Sequence, residues 1–153
     1  MSCEELADRA VAAIVGIGVG DVMGDLGRDH EIRSALGLVT EMLPDGRSTD
    51  DTEFCVLSAR AFLECTGEFT AEHVAATWRR LVIDRGGARN RGGIPLYGAM
   101  WNLEHGVQPP YSGIDNVLND DDGAAMRAVP FGIVAVGQPE EAARLAAIDA
   151  SVS

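Results

Sequence analysis

The segment Ser48-Thr49-Asp50-Asp51-Thr52 places two adjacent carboxylates and three hydroxyls at the start of a run patterned as a helix. Such side chains are hard oxygen ligands, which suit Mg²⁺, Mn²⁺ or Ca²⁺ far better than zinc or copper. Helix capping is the competing explanation, because Ser48 and Asp51 resemble an N-cap pair and acids are favoured in a first helical turn. One cap needs only one acceptor, so capping explains one or two of these groups. The segment by itself leaves both explanations open.

The composition around this segment favours close-packed helices. The chain has 153 residues, of which 46% are hydrophobic but only 5% aromatic, so the interior is expected to consist of Ala, Val, Leu and Ile. Ala-rich sequence with a period near 3.6 residues is typical of helices, and no stretch alternates as a strand would. We therefore predict an all-α fold, a compact helical bundle in which residues 1–153 form a single domain.

The charge limits the classes of partner. A formal net charge of −12 argues against nucleic acid and anionic membrane surfaces, since contact with either depends on clustered cations. The acids Glu4, Glu5 and Asp8 stand where a signal peptide would carry basic residues. No uninterrupted apolar run reaches the roughly 18 residues that a membrane span requires. We predict no nucleic-acid partner and no membrane partner.

The three cysteines favour a reducing compartment. Cys55 and Cys65 lie on one predicted helix, about 15 Å apart along its axis, whereas a disulfide needs Cα atoms within about 7 Å. We expect Cys3, Cys55 and Cys65 to be unreactive or core thiols in a cytoplasmic protein.

Capping and breaker residues mark the expected helices. Ser2 and Glu5 form a capping-box pattern, and Gly16, Gly18 and Gly20 are expected to end the first helix and to let another helix approach closely. Residues 25–47 are expected to be irregular, and 109–113 to form a loop. The later predicted helices run from Thr52 to about Thr66, Thr70 to about Ile83, Pro95 to Glu104 or His105, Gly123 to Val136 with a bend near Pro130, and Gln138 to the end.

Familiar ligand motifs fail on their spacing. Counting Gly-x-Gly-x-x-Gly from Gly16 reaches Asp21, so a dinucleotide fold is excluded. With Gly123 at the sixth position of a calcium loop, the twelfth would be Val129, which excludes an EF-hand. The loop from Arg85 to Gly93 is interpreted as a solvated connector, with phosphate binding as the alternative.

Three motifs then fall in one order: Gly20-Asp-Val-Met-Gly24, the segment Ser48–Thr52, and Asp122-Gly-Ala-Ala-Met-Arg127. In this arrangement the chain resembles the ADP-ribosylglycohydrolase family, which includes the dinitrogenase reductase activating glycohydrolases. A looser match runs from Asp84 to Gly106, a Gly-rich loop leading into a helix. The resemblance covers essentially the whole chain, but only about the N-terminal half of a usual family member.

The resemblance implies an all-helical enzyme with a pair of Mg²⁺ ions, or Mn²⁺ in their place. Such an enzyme hydrolyses an N- or O-glycosidic bond at the anomeric carbon of a ribosyl or ADP-ribosyl substrate. Carried over by position, Thr49, Asp50 and Asp51 would be metal ligands. Asp122 and Gly123 would line the ribose pocket.

Two departures from the family pattern affect the expected chemistry. Arg28 stands where the family usually has a Glu, and neither Asp25 nor Glu31 is assigned in its place, so the catalytic carboxylate is unknown. Asp122 stands where relatives often have Asn, and its charge would repel a diphosphate. We therefore expect a ribosyl substrate poorer in phosphate than ADP-ribose.

The third departure is length. The family's second metal-ligand cluster has no counterpart before Ser153. We expect the fold to be incomplete at the C-terminus, so that the chain is a fragment or is completed by a second chain. The alternative function is a non-catalytic binding protein, or a crystallin-like structural protein, with the same fold.

Overall fold

A computed structural model describes residues 2–87, 92–114 and 122–153 of the chain. Within these ranges every regular element is helical and no strand is present, which confirms the predicted all-α class. The chain divides into two compact units, Met1–Glu53 and Phe54–Ser153, with the boundary inside one helix. Each unit is described below by itself, and the single-domain organisation stays a prediction.

The first unit contains two helices and the first turn of a third. Ser2 Oγ accepts a hydrogen bond from the Glu5 amide at 3.1 Å and the Glu5 carboxylate accepts one from the Ser2 amide at 2.6 Å, so the predicted capping box is confirmed. Asp29 separates the first two helices, and its carboxylate caps the second by accepting from Glu31 and Ile32 amides. The helices are α1 (Cys3–Arg28), α2 (His30–Leu36) and the start of α3 (Asp50–Glu64).

The glycines of α1 do not end the helix, and this prediction was wrong. Each interior glycine costs roughly 1 kcal/mol of helix stability, which is less than the penalty that a proline would impose. The helix therefore continues to Arg28, and α2 occupies part of the stretch predicted to be irregular. The predicted close approach is found at Gly18, where an added Cβ would lie 3.9 Å from Thr52 Oγ1. It is not found at Gly16 or Gly20, where no atom lies within 4 Å.

Helix α1 also corrects the statement about apolar runs. Over the described residues, Cys3–Arg28 is long and apolar enough to cross a membrane, by length and composition only. Core helices and signal sequences pass the same test. Our count required an uninterrupted apolar run, whereas an average over 18 residues tolerates two charged residues when Val and Ile are frequent, as they are in this helix. The absence of a membrane partner stays a prediction.

The second unit contains the remainder of α3 and the later elements. Thr70 precedes α4 as predicted, and α5 ends at Glu104 as predicted. The predicted bent helix from Gly123 to Val136 was wrong, because two separate short helices replace it and Pro130 lies in the first turn of the second. The helix Tyr111–Ile114 begins inside the predicted 109–113 loop, so the loop prediction was wrong for its last three residues. The elements are α4 (Ala71–Leu81), a 3-10 turn (Ile83–Arg85), α5 (Ile94–Glu104), α6 (Tyr111–Ile114), a 3-10 turn (Ala125–Arg127), α7 (Val129–Val134) and α8 (Pro139–Ala150).

The core of the second unit surrounds Trp78 of α4, which is fully buried. Phe54 packs edge-on against its indole, with ring centroids 4.8 Å apart. Edge-to-face contacts of this kind stabilise a core beyond the area that they bury. The same indole lies 5.0 Å from the guanidinium carbon of the buried Arg127.

Arg127 and Asp149 form a buried ion pair in the second unit. The Arg127 side chain also donates to the Asp149 carbonyl at 3.2 Å and to Ser153 Oγ at 2.8 Å. The other carboxylate oxygen of Asp149 accepts from the Ser58 hydroxyl at 2.7 Å. These contacts join the Ala125–Arg127 turn to α8 and to α3. Removing one partner would leave an unpaired buried charge, which costs about 3–5 kcal/mol.

Cys55 is buried in α3, and all three cysteines are free thiols. Burial raises the pKa of the Cys55 thiol to about 11, with a further contribution from the nearby Asp149 carboxylate. Cys3 is exposed, so the expectation of a core thiol fails for this residue. Thiolate is the reactive form of cysteine, and the folded chain therefore offers very different reactivities at the two positions.

We predict that a thiol reagent at pH 8 modifies Cys3 rapidly and Cys55 only after unfolding. Stopped-flow absorbance with and without denaturant measures the phases, and Cys3→Ser should remove one thiol equivalent from the fast phase, while the half-buried Cys65 is present in both proteins. Labelling of Cys55 in the folded chain, located by peptide mass spectrometry, would contradict its burial.

Candidate functional site

Asp21 of α1 lies at the centre of the candidate site. Its side chain is buried, with 8% of the residue exposed. Its Oδ2 accepts hydrogen bonds from the Thr49 amide at 2.7 Å, the Thr52 amide at 3.2 Å and the Thr52 hydroxyl at 2.6 Å. Its Oδ1 accepts from the Thr49 hydroxyl at 2.5 Å. One carboxylate therefore holds both threonines of the Ser48–Thr52 segment.

This arrangement changes the capping explanation for the segment. The amides of Thr49 and Thr52 belong to the start of α3, where backbone donors have no partner within the helix. Asp21 supplies their acceptor from α1, and a carboxylate is favoured at that end of the helix dipole. The two threonine hydroxyls donate to Asp21 and do not cap the helix themselves. The segment's acidic side chains are therefore not needed for these two amides.

Opposing effects act on the pKa of Asp21. Burial alone would raise it, but the hydrogen bonds from the side chains and amides of Thr49 and Thr52 together hold the pKa below its ordinary value. The hydrogen bonds stabilise the charged form. Asp21 is therefore a carboxylate at neutral pH, fixed in orientation by donors on both of its oxygens.

The predicted metal ligands lie in the same segment as the threonines that Asp21 holds. Thr49 precedes α3, and Asp50 and Asp51 are its first two residues, all half-buried. Because Thr49 gives its hydroxyl proton to Asp21, only lone pairs of that oxygen are left to face a further partner. No group of three or more His, Cys, Asp or Glu side chains able to hold a metal occurs in the described ranges.

The donor set nevertheless suits one side of a magnesium site. Mg²⁺ commonly takes one or two carboxylates and completes its octahedron with water and substrate oxygens. Asp50, Asp51 and the neutral Thr49 hydroxyl provide donors of that kind on adjacent residues. The residues present fit part of the coordination sphere, and their role as ligands stays a prediction.

The predicted ribose-pocket residues belong to the second unit. Asp122 is exposed, and its carbonyl accepts from the Ala125 amide at 2.7 Å, which starts the 3-10 turn. Gly123 is half-buried. Residues 115–121, which precede them, lie outside the described residues. The roles of Asp122 and Gly123 stay predictions.

No catalytic carboxylate is assigned. Arg28, at the position where the family usually has Glu, is the exposed last residue of α1. Asp25 and Glu31 are exposed as well. The nearby Asp29 uses one carboxylate oxygen to cap α2.

Asp21 is the site residue that sequence reasoning missed. It lies within the matched motif Gly20–Gly24, but no role was attached to it. The available signal was an acidic residue on the otherwise apolar face of α1, one turn beyond Ile17. A carboxylate on such a face needs hydrogen-bond partners, and two threonines before a helix could provide them.

The alternative of phosphate binding by the Arg85–Gly93 loop is only partly covered by the structure. The Gly86 amide donates to the Ile83 carbonyl at 3.0 Å and the Gly87 amide donates to Val82 at 2.9 Å. These two amides are therefore not available to an anion. Arg89 and Arg91 lie outside the described residues.

Comparison with known proteins agrees with the three motifs. The model of the ADP-ribosylglycohydrolase family matches residues 2–153. An uncharacterized protein of Archaeoglobus fulgidus is 35% identical over 132 residues, which cover 79% of this chain and 41% of that protein. The chain thus spans less than half the length of this relative. No solved structure matches significantly.

We predict that the Asp21–Thr52 contact stabilises the first unit measurably. Thr52→Val keeps the shape and removes one charge-assisted hydrogen bond, so the free energy of unfolding should fall by about 1.5–3 kcal/mol. Urea unfolding monitored by circular dichroism measures the change.

Thr40→Val is the matched control, because Thr40 is an exposed threonine of the same unit. It should change the free energy of unfolding by less than about 0.5 kcal/mol. Equal effects of the two substitutions would contradict the contact.

Proposed function

Because the chain belongs to the ADP-ribosylglycohydrolase family, we propose that it supports Mg²⁺-dependent hydrolysis of a glycosidic bond at a ribose anomeric carbon. The substrate would be an ADP-ribosyl or related ribosyl compound. The observation that carries the proposal is the attachment of Thr49 and the start of α3 to the Asp21 carboxylate. This attachment fixes the backbone that bears Asp50 and Asp51.

Some residues of the segment would bind the metal ion, and Asp21 would orient them. Asp50, Asp51 and the Thr49 hydroxyl would hold Mg²⁺ or Mn²⁺ from one side. A bound ion of this kind would supply a polarised water and a positive charge. Asp21 would act as a positioning residue, because its hydrogen bonds orient the Thr49 oxygen and fix the first turn of α3.

The second unit would contribute to the ribose contact. The Asp122 carboxylate would be an acceptor for a ribose hydroxyl, and Gly123 follows it in the chain. The charge of Asp122 disfavours a diphosphate at this point, so a ribosyl substrate poorer in phosphate fits better. The large uncovered share of the archaeal relative is compatible with further ligands supplied by a second chain or a longer protein.

The second candidate function is non-catalytic binding, or a crystallin-like structural role, on the same fold. Arg28 is the observation that favours it, since this exposed cation stands where the family usually has a Glu. Both functions allow the Thr49–Asp51 segment to bind a divalent ion. Only the first requires that a ribosyl bond be broken.

We predict that Mg²⁺ or Mn²⁺ raises the melting temperature of the chain relative to EDTA. An ion that binds only the folded state at a hundred times its dissociation constant stabilises that state by about 2.7 kcal/mol. Asp50→Asn and Asp51→Asn keep the side-chain shape and remove the charge, so each should abolish most of the shift. Differential scanning fluorimetry gives the measurement.

Asp45→Asn is the control, because Asp45 is an exposed acid of the same unit outside the segment. Its shift should equal that of the unchanged chain. The companion assay follows, by chromatography, release of free ribose from a nucleoside and release of free ADP-ribose from an ADP-ribosylated peptide. A metal shift without release would favour the binding protein, and no shift at all would contradict the metal site.

A further inference from the structure

A cleft of about 280 Å³ lies in the second unit, between one face of α5 and the end of the Ile83–Arg85 turn. The face of α5 consists of Tyr97, Met100, Trp101 and Glu104, which have the i, i+3, i+4, i+7 spacing of a single helical stripe. The opposite side is formed by Ile83, Gly86 and Gly87. None of these residues belongs to the predicted metal or ribose site. We propose that the cleft binds a small organic cation with an alkylated ammonium group.

The aromatic side chains are the first reason. Trp101 is 64% exposed, in contrast to the fully buried Trp78, so its indole contributes surface to the cleft and little to the core. Tyr97 adds a second ring on the same stripe. Aromatic faces attract cations through the ring quadrupole, and indole does so most strongly. The His105 ring packs against Trp101, with centroids 4.1 Å apart, and restricts the indole's rotation.

The charge of the cleft is the second reason. Glu104 is the last residue of α5, where the helix dipole is also negative. No described residue forms an ion pair with Glu104, and none of the described residues that line the cleft is an Arg. Arg79, which donates to the Leu103 carbonyl near the same helix end, projects from α4 and is not part of the lining.

The backbone of the turn also disfavours an anion. An anion would need free amides, but those of Gly86 and Gly87 donate to the Ile83 and Val82 carbonyls. Of the polar side chains in the lining, the Glu104 carboxylate accepts hydrogen bonds and the Tyr97 hydroxyl can donate or accept. A cation is the ligand class that carboxylate, carbonyl and aromatic groups share.

The apolar wall selects an alkylated ion over a metal ion. Ile83 and the largely buried Met100 provide no oxygen ligands, and a single carboxylate does not satisfy Mg²⁺ or Ca²⁺. A quaternary ammonium group is weakly hydrated and carries methyl groups that fit such a wall. The volume accommodates a head group of the size of choline.

Calorimetric titration of the full chain tests the proposal with two probes of matched shape. Choline carries the charge, and 3,3-dimethylbutan-1-ol is its neutral isostere. We expect choline to bind at least about fivefold more tightly, which corresponds to the roughly 1 kcal/mol typical of an exposed cation–π contact. Equal binding of the two compounds, or no binding of choline, would overturn the proposal.

Variants locate the binding within the chain. Trp101→Leu and Glu104→Gln change exposed positions, and each should raise the choline dissociation constant about three- to tenfold. Tyr111→Phe changes an exposed tyrosine outside the cleft lining and should leave the constant unchanged. Melting curves establish that each variant is folded. Unchanged choline binding in folded Trp101→Leu would overturn the assignment, and this outcome is independent of any Mg²⁺ shift.

Discussion

The carboxylate of Asp21 joins α1 to Thr49 and Thr52, which lie 28 and 31 residues later in the chain. It accepts four hydrogen bonds, two from amides and two from hydroxyls, and these outweigh the cost of its burial. The position of Thr49 and the start of α3 depend on this group. The proposed metal site depends on it in turn, because Asp50 and Asp51 extend from the turn that Asp21 holds.

In the second unit, a buried charged side chain likewise joins segments that are distant in the sequence. Arg127 ends the Asp122–Arg127 motif, and its guanidinium is fixed by Asp149 and stands beside the Trp78 indole. Two of the three family-like motifs thus contain a charged residue whose partners lie far away in sequence. The fold requires a charged residue at each of these two positions, because each forms hydrogen bonds with those distant partners. Of the residues proposed for chemistry, Asp50 directly follows Thr49, which Asp21 holds, and Asp122 begins the motif that Arg127 ends.

The sequence predicted local features well and distant contacts poorly. The capping box at Ser2, the Thr70 start and the α5 end were predictable because each depends on a few adjacent residues. The length of α1 was not, since glycine penalties do not by themselves decide where a helix ends. For the site, the segment Thr49–Asp51 was identified as a candidate from its residue types. The role of Asp21 was missed because hydrogen bonds across 28 residues leave no periodic signal.

Amide hydrogen exchange of the Thr49 and Thr52 backbone, followed by NMR, tests the central claim most directly. The account predicts slow exchange for both amides in the unchanged chain and fast exchange in Asp21→Ala, with the later residues of α3 still protected. Fast exchange at Thr49 and Thr52 in the unchanged chain would contradict it. Slow exchange that survives in Asp21→Ala would contradict it equally.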